Sequence, residues 1–592
     1  MTDKSLRKIE RIESNDPDVL TLAIGSEGYS PHALLKEWEN EEYKDEEYEV
    51  LHIEDDRIDW KRVCTAIQRS KVLEELHLGG IEIVPNGNDS NFRENDLRAL
   101  MVAFANSGRQ LRKLALNMLS VPFEILFNED CSGVLQKSGF CLNIMDCDVV
   151  SEDIDVLTDH ISRGDNLVRF EFVENGEGLF QGPFLLALGL LIRHLSNHHQ
   201  LEVLSIIGAG LHHTSITDIA SMLSRPDTKL VGLELEGNGI GVNEFNTIME
   251  SLSTNKTLRG LSYDNFNGAA IGAQLIDRLL SLKDLPLKLL STNGVRIADP
   301  EAAMLSKRFN SYGKLTYLQL DLGTSLTMSG WNALGEYIQS SRCILDQLNL
   351  PHSNLDDAKL QSLSTWISSH GTIKYLHLWG NRAITVDGWR VFFHLVLENP
   401  KSKMTGIDIS RCGIKDETIN SLASALRRNC TLEEFQFFRG EDDEIDVTEE
   451  GWDYITTVLC NETSIMETYL SNHTLIMIET FDPLPADLTE LLDFNRKFPR
   501  TVARLKVLDV HFGPEFDMNA IRPFLTMDMK LLPQVINWIG KGEEFVKQFW
   551  TVMYELVRHS QLFVEHGADH SAYSKMRSPM KKRKLASSET AS

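Results

Sequence analysis

The chain is poor in the features that announce chemistry. No C-x-x-C pair occurs, and the eight cysteines are scattered along 592 residues, a usage that fits a reducing compartment better than a disulfide framework. There is no H-E-x-x-H, no G-x-x-x-x-G-K-[ST] and no G-x-S-x-G, so the common metalloprotease, nucleotide-loop and serine-hydrolase signatures are missing. The longest apolar stretch, Phe184 to Ile192, is far short of the ~20 residues that span a bilayer and reads as a buried helix. Positive charge is also scarce: 59 basic side chains face 86 acidic ones, for a net charge of −27. The opening residues, Met1 to Asn15, alternate charges without an apolar core, so no secretory signal is expected.

What the chain has in abundance is one phrase. Leu230, Leu233, Leu235 and Asn238 spell L-x-x-L-x-L-x-x-N, and Ile373, Leu376, Leu378 and Asn381 spell it again with isoleucine first. With the second leucine as marker, sixteen units are expected, at Leu22, Leu51, Leu76, Leu114, Leu142, Phe170, Leu204, Leu233, Leu261, Leu290, Leu318, Leu348, Leu376, Ile407, Phe435 and Thr468. From Leu204 to Phe435 the intervals run 28 to 31 residues, around the long end of a leucine-rich period. The alternating part, such as Leu233-Glu234-Leu235, predicts a short strand with leucines inward. Leu355, Leu360, Leu363 and Ile367 recur at helical spacing and predict the helix that covers it. No such unit buries its apolar face alone, so the expectation is an α/β leucine-rich repeat solenoid, a horseshoe with a parallel inner sheet and outer helices.

On these residues the chain resembles the ribonuclease-inhibitor type of leucine-rich repeat protein, over roughly residues 15 to 475, and the large uncharacterised leucine-rich repeat families of unicellular algae. The resemblance implies a curved sheet used for binding. The expected layout is an N-terminal cap and first repeat over 1–47, repeats over 48–475, a helical C-terminal cap over 476–570 and a disordered basic tail over 571–592. The cap is read from Leu488, Leu491 and Leu492, then Val502, Leu505 and Leu508, then Phe545, Phe549, Val552, Leu556 and Val557. Long linkers at 79–110 and 438–464 predict insertions, the second holding the acidic run Glu441 to Glu450.

No catalytic, cofactor or metal residue is predicted. Cys147, Cys412, Asn175, Asn238 and Asn381 occupy the inward polar position of the phrase, where bonding to the bend backbone is their expected role. The glycines Gly237, Gly239 and Gly241 serve the turn. His198-His199 and His212-His213 are adjacent pairs whose side chains point apart.

Alternation does identify the inner face: the residues before and after each marker, and the one two further on. Those positions hold Glu54, Glu75, Glu171, Glu234, Glu236, Asp264, Asp321, Asp408, Glu434 and Glu467, against Lys113 and Arg169. Such a face favours a basic protein and repels nucleic acid phosphates. Aromatic residues concentrate toward its C-terminal half, where Tyr317, Tyr375, Trp379, Phe438 and Tyr469 accompany Gln319, Asp321, Gln347, Asn349, His377, Asp408, Glu434 and Gln436. Rings beside carboxylates are typical of protein-binding hot spots, so these residues are the predicted partner site.

The tail reverses sign. Lys581, Lys582, Arg583 and Lys584 form a run that resembles a nuclear-import signal, with Ser578-Pro579 nearby as a point where phosphate would offset the charge. The reading is therefore a non-catalytic interaction scaffold, intracellular and nuclear or nucleocytoplasmic, with an import receptor as a second partner and no membrane contact. An alternative is a small-GTPase regulator, because activating proteins of the nuclear-transport GTPase use ribonuclease-inhibitor-type repeats.

Overall fold

A computed structural model describes residues 4–14, 21–25, 50–52, 58–82, 92–107, 111–127, 139–164, 166–174, 182–264, 269–294, 297–439, 447–480, 483–499 and 501–512. The chain forms two compact units, Met1–Leu345 and Asp346–Ser592. Each is a leucine-rich repeat solenoid in which parallel strands alternate with helices.

In the first unit the strands are β1 (Thr21–Gly25), β2 (Val50–His52), β3 (Glu75–Gly79), β4 (Lys113–Asn117), β5 (Phe140–Met145), β6 (Leu167–Val173), β7 (Val203–Ile207), β8 (Gly232–Leu235), β9 (Gly260–Asp264), β10 (Leu289–Asn293) and β11 (Tyr317–Leu320). The marker row runs in register from Leu22 through Leu76, Leu114, Leu142, Phe170, Leu204, Leu233, Leu261 and Leu290 to Leu318. All of these side chains are buried. One departure concerns order. β2 follows β1 in the chain but lies outside it, so β1 sits between β2 and β3, and Leu51 pairs with Ile24 and not with Leu22.

The second unit holds β12 (Gln347–Asn349), β13 (Tyr375–His377), β14 (Gly406–Asp408), β15 (Glu434–Gln436) and β16 (Met477–Glu479), again parallel and sequential. Leu348, Leu376, Ile407, Phe435 and Ile478 form its apolar row. Helix Asp357–His370 presses Leu360, Leu363 and Ile367 onto that row, with Leu355 just before it, all buried as their spacing predicts. Between Leu376 and Ile407 the repeat is 31 residues long, and helix Val386–Phe392 runs on into a π-helical turn, Phe393–Leu397, which takes up extra chain without breaking the backbone ladder.

The last marker is the second departure. Thr468 is not on a strand; it belongs to a short helix, Ile465–Tyr469, capped by the Ser464 hydroxyl, which accepts from the Glu467 N–H at 3.1 Å. Ser464-x-x-Glu467 is a capping sequence, and Thr468 turns its hydroxyl back onto the Asn461 carbonyl at 2.7 Å. The strand begins later, at a phrase the chain uses repeatedly. Asn255-x-Thr257-Leu258, Asn429-x-Thr431-Leu432 and Asn472-x-Thr474-Leu475 each place an asparagine whose Oδ1 accepts from the next two strand-leading N–H groups, while its Nδ2 donates to the backbone of an earlier helix end.

β16 ends the ladder under two helices, Ala486–Lys497 and Val502–Phe512. Asn495 Nδ2 donates to the Leu475 carbonyl at 2.7 Å and the Arg496 guanidinium to that of Ile476 at 3.4 Å. Buried Lys506 donates to the carbonyls of Leu459 and Asn472 at 2.6 and 3.3 Å. The expected longer helix over Phe545 to Val557 lies outside the described residues.

Helices are tied to their neighbours by a recurring carboxylate. Asp299, Asp357 and Asp416, each at the start of a helix, accept from both the backbone N–H and the hydroxyl of Thr327, Thr385 and Thr448, the residues that begin the next helix. Each threonine opens T-x-x-G-W, and the glycine is required: a Cβ on Gly330, Gly388 or Gly451 would come within 2.4, 2.1 or 2.3 Å of the carboxylate oxygen. The tryptophans that follow, Trp331, Trp389 and Trp452, are buried. Gly388→Ala is expected to lower stability by about 1–3 kcal/mol, with a smaller loss in an Asp357→Ala background. A double-mutant cycle by denaturant unfolding measures the coupling, and additive losses would show that the carboxylate is not what the methyl meets.

Candidate functional site

Because one side of each strand is committed to the leucine row, its neighbours must line the other side. In the second unit three rows result. Gln347, Tyr375, Gly406, Glu434 and Met477 are cross-strand partners, as are Asn349, His377, Asp408, Gln436 and Glu479. Beyond the strand ends, Trp379, Ser410 and Phe438 continue the third.

The inward polar positions close each bend. Asn381 donates to the carbonyls of Leu350 and Leu378 and accepts from the Leu355 N–H at 3.0 Å, and Asn238 does the same with Ile206, Glu236 and Ala209. Cys412 and Cys147 take this place with thiols on backbone carbonyls, and burial pushes the Cys147 thiol up to about 12, far from reactive. Asn175 and Glu54 lie outside the described residues.

Tyr375 lies flat on the sheet because its neighbour has no side chain. A Cβ on Gly406 would fall 2.3 Å from the ring. Burial raises the Tyr375 phenol above its ordinary range, and the negative charges of Glu434, Glu433 and Asp346 add to that. The ring thus borders a cluster of carboxylates. Across the first two rows Gln347 Nε2 meets His377 Nε2 at 3.2 Å, and within the second His377 Nδ1 approaches Asp408 at 3.4 Å. Asp408 also accepts from the Ser410 N–H at 2.8 Å, and the Ser410 hydroxyl accepts from the Phe438 N–H at 2.9 Å. Burial acts to raise the Asp408 carboxyl, yet the hydrogen bonds from His377 and Ser410 hold it below the usual carboxylate range.

Trp379 stands between two repeats. His352 meets its ring edge-on with centroids 4.3 Å apart, and the Arg411 guanidinium lies over it at 5.0 Å. Neither His352 nor Arg411 figures in the sequence-derived inner face. Both occupy the turn after the strand, with φ of 46° and 53°, where a left-handed backbone carries the side chain toward the inner face. The signal was available: Gly80, Gly208, Gly237 and Gly380 hold the same turn position in other repeats.

The remaining predicted residues separate. Tyr317, Gln319 and Asp321 belong to the first unit, where the Tyr317 hydroxyl donates to Gln319 at 3.0 Å, Gln319 donates to Asn293 at 2.9 Å, and Asp321 accepts from the Gly323 N–H at 3.0 Å. Asn293 and Ser291 in turn donate to Glu236, and Ser205 to Glu234. Tyr469 is a correction: it lies on the helix Ile465–Tyr469, 44% exposed, and not on a strand. Glu467 goes with it, and Glu479 supplies the acid at that end of the row. The physical cause is the capped helical turn, which an alternating reading of Ile465, Thr468 and Leu470 mistakes for strand. Lys581, Lys582, Arg583 and Lys584 lie outside the described residues. Among the described residues no helix is long and apolar enough to cross a membrane.

No family model matches the chain. It is similar to human NACHT, LRR and PYD domains-containing protein 5, 24% identical over 235 residues that make up 40% of this chain and 19% of that protein. The mouse protein of the same name is 20% identical over 64% of this chain and 31% of its own length. Mouse NACHT, LRR and PYD domains-containing protein 14 is 30% identical over 20% of this chain and 12% of its own length. The chain therefore spans under a third of the length of the curated relatives it matches. A chain from the crystal structure of the yeast Rad7 and Elc1 complex aligns over 68% of this chain and 77% of its own, with a TM-score of 0.33 and 16% identity, too distant to carry an argument.

The depressed Asp408 carboxyl has a consequence for stability. A carboxylate held below its ordinary value of about 3.9 contributes stability that is present above that value and lost as pH falls through and below it. Between about pH 5 and about pH 3, the wild type is expected to lose more unfolding free energy than Asp408→Asn. Parallel pH-dependent denaturation curves would refute the linkage.

Proposed function

We propose that the chain is a non-catalytic scaffold or adaptor that holds a protein with a basic surface on the inner sheet face of its second unit. The observation that carries this reading is the combination on one set of strands of half-buried rings, Tyr375, Trp379 and Phe438, with the carboxylates Asp408, Glu434 and Glu479. Rings contribute area at low entropic cost, and the acids attract and orient a cationic surface. Repeat lengths of 28 to 31 residues favour the ribonuclease-inhibitor subclass for the solenoid. A GTPase-regulating role rests on fold alone and is set aside.

The test is affinity capture with the full chain against Tyr375→Ala/Trp379→Ala. Both side chains are half-exposed, so the double variant is expected to melt close to the wild type and to retain its partner at least about tenfold less well, the loss expected of two hot-spot rings. Undiminished capture by a folded variant would overturn the assignment.

The basic run Lys581 to Lys584 supports nuclear or nucleocytoplasmic placement through an import receptor. Deleting those four residues from a fluorescently tagged full chain is expected to abolish nuclear accumulation, and an unmoved distribution would remove the import reading.

A further inference from the structure

Arg411 places a cation at the rim of the inner face of the second unit. Arg411 follows β14 at φ 53°, the position that Gly80, Gly208, Gly237 and Gly380 fill at φ between 61° and 75°. Left-handed backbone suits glycine and is unfavourable for a long side chain. Arginine here costs stability relative to glycine, as do Met118, Asp146 and His352, which hold the same turn position at φ between 46° and 50°.

The guanidinium has an aromatic neighbour. It lies over the Trp379 ring at 5.0 Å, and a second neighbour of that ring, the edge-on His352, occupies the space above Gly380, where a Cβ would fall 2.4 Å from its Nδ1. Each part of the stack therefore constrains the next. Among the described residues Arg411 makes no ion pair, in a protein of net charge −27. Its backbone N–H donates to the Phe438 carbonyl at 2.7 Å, which ties it to the aromatic row. An arginine placed over a ring can still present its N–H groups to a planar acceptor with two oxygens.

We infer that the His352–Trp379–Arg411 stack is a carboxylate-reading subsite, which takes an Asp, Glu or C-terminal carboxylate of the protein segment bound on this face. The inference rests on the reading of that face as a partner surface and adds to it: the partner carries both signs, basic residues over Asp408 and Glu434 and an acid at the rim. A carboxylate fits better than a phosphate monoester because the nearby acids repel every added negative charge, and a phosphate brings close to two.

The probe is an array of random dodecapeptides exposed to the full-length wild type, Arg411→Gln, Arg411→Gly and Tyr375→Ala/Trp379→Ala. Each binder is also presented with its acids changed to amides, with its C-terminus amidated, and with phosphoserine in place of the acid. Removing the acid is expected to weaken wild-type binding about tenfold and to leave Arg411→Gln binding nearly unchanged, the pattern of a lost charge-assisted contact. The amidated arm separates a C-terminal carboxylate from a side-chain one. Arg411→Gly should melt no lower than the wild type, which excludes misfolding as the cause. If Arg411→Gln still discriminates acid from amide, or phosphoserine copies bind more tightly, the subsite is refuted, while the wider reading stands provided the aromatic pair is required. Binders indifferent to both Arg411 and the aromatic pair, or an array with no binders, would overturn both.

Discussion

In-register pairing of one apolar row governs the rest of the molecule. Once Leu348, Leu376, Ile407, Phe435 and Ile478 stack across parallel strands, the two-residue period of the strand sends every flanking side chain to the opposite face. Backbone groups satisfy one another along the ladder, and asparagine or cysteine closes the bend that follows. The inner face is thereby left to side chains that bond among themselves, as His377, Asp408 and Ser410 do.

The outer layer is held by a different device. A carboxylate at the start of one helix caps the next, and this arrangement recurs at alternate helices: Trp331 and Trp389, which follow the capped turns, are 58 residues apart, and Trp389 and Trp452 are 63 apart. The cap satisfies orphan N–H groups at the helix start, and the close approach it needs excludes any side chain at Gly330, Gly388 and Gly451. Fixed helix spacing on one side lets the strand side vary.

Electrostatics then gives that variable side its character. Asp408 stays ionised because His377 and Ser410 donate to it, and Glu434 sits beside the Tyr375 ring. Arg411, beside the Trp379 ring, brings the opposite sign. On the proposed partner face, a negative floor and a positive rim together would require a partner to match two charges at once.

The repeat phrase by itself determined the class of fold, the strand carrying each marker from Leu22 to Phe435, and the side to which Tyr375, His377, Asp408 and Glu434 turn, because alternation and helical spacing are local properties written residue by residue. It misread Thr468 and Tyr469, where Ser464 and Glu467 cap a helix whose apolar spacing imitates a strand. Only the tertiary structure decided that β1 lies between β2 and β3, since the choice of neighbour depends on which edges meet and not on either strand's own pattern. It alone decided, too, that Arg411 and His352 flank Trp379: a left-handed turn changes where a side chain points, and the stack joins residues from three successive repeats that no local period relates.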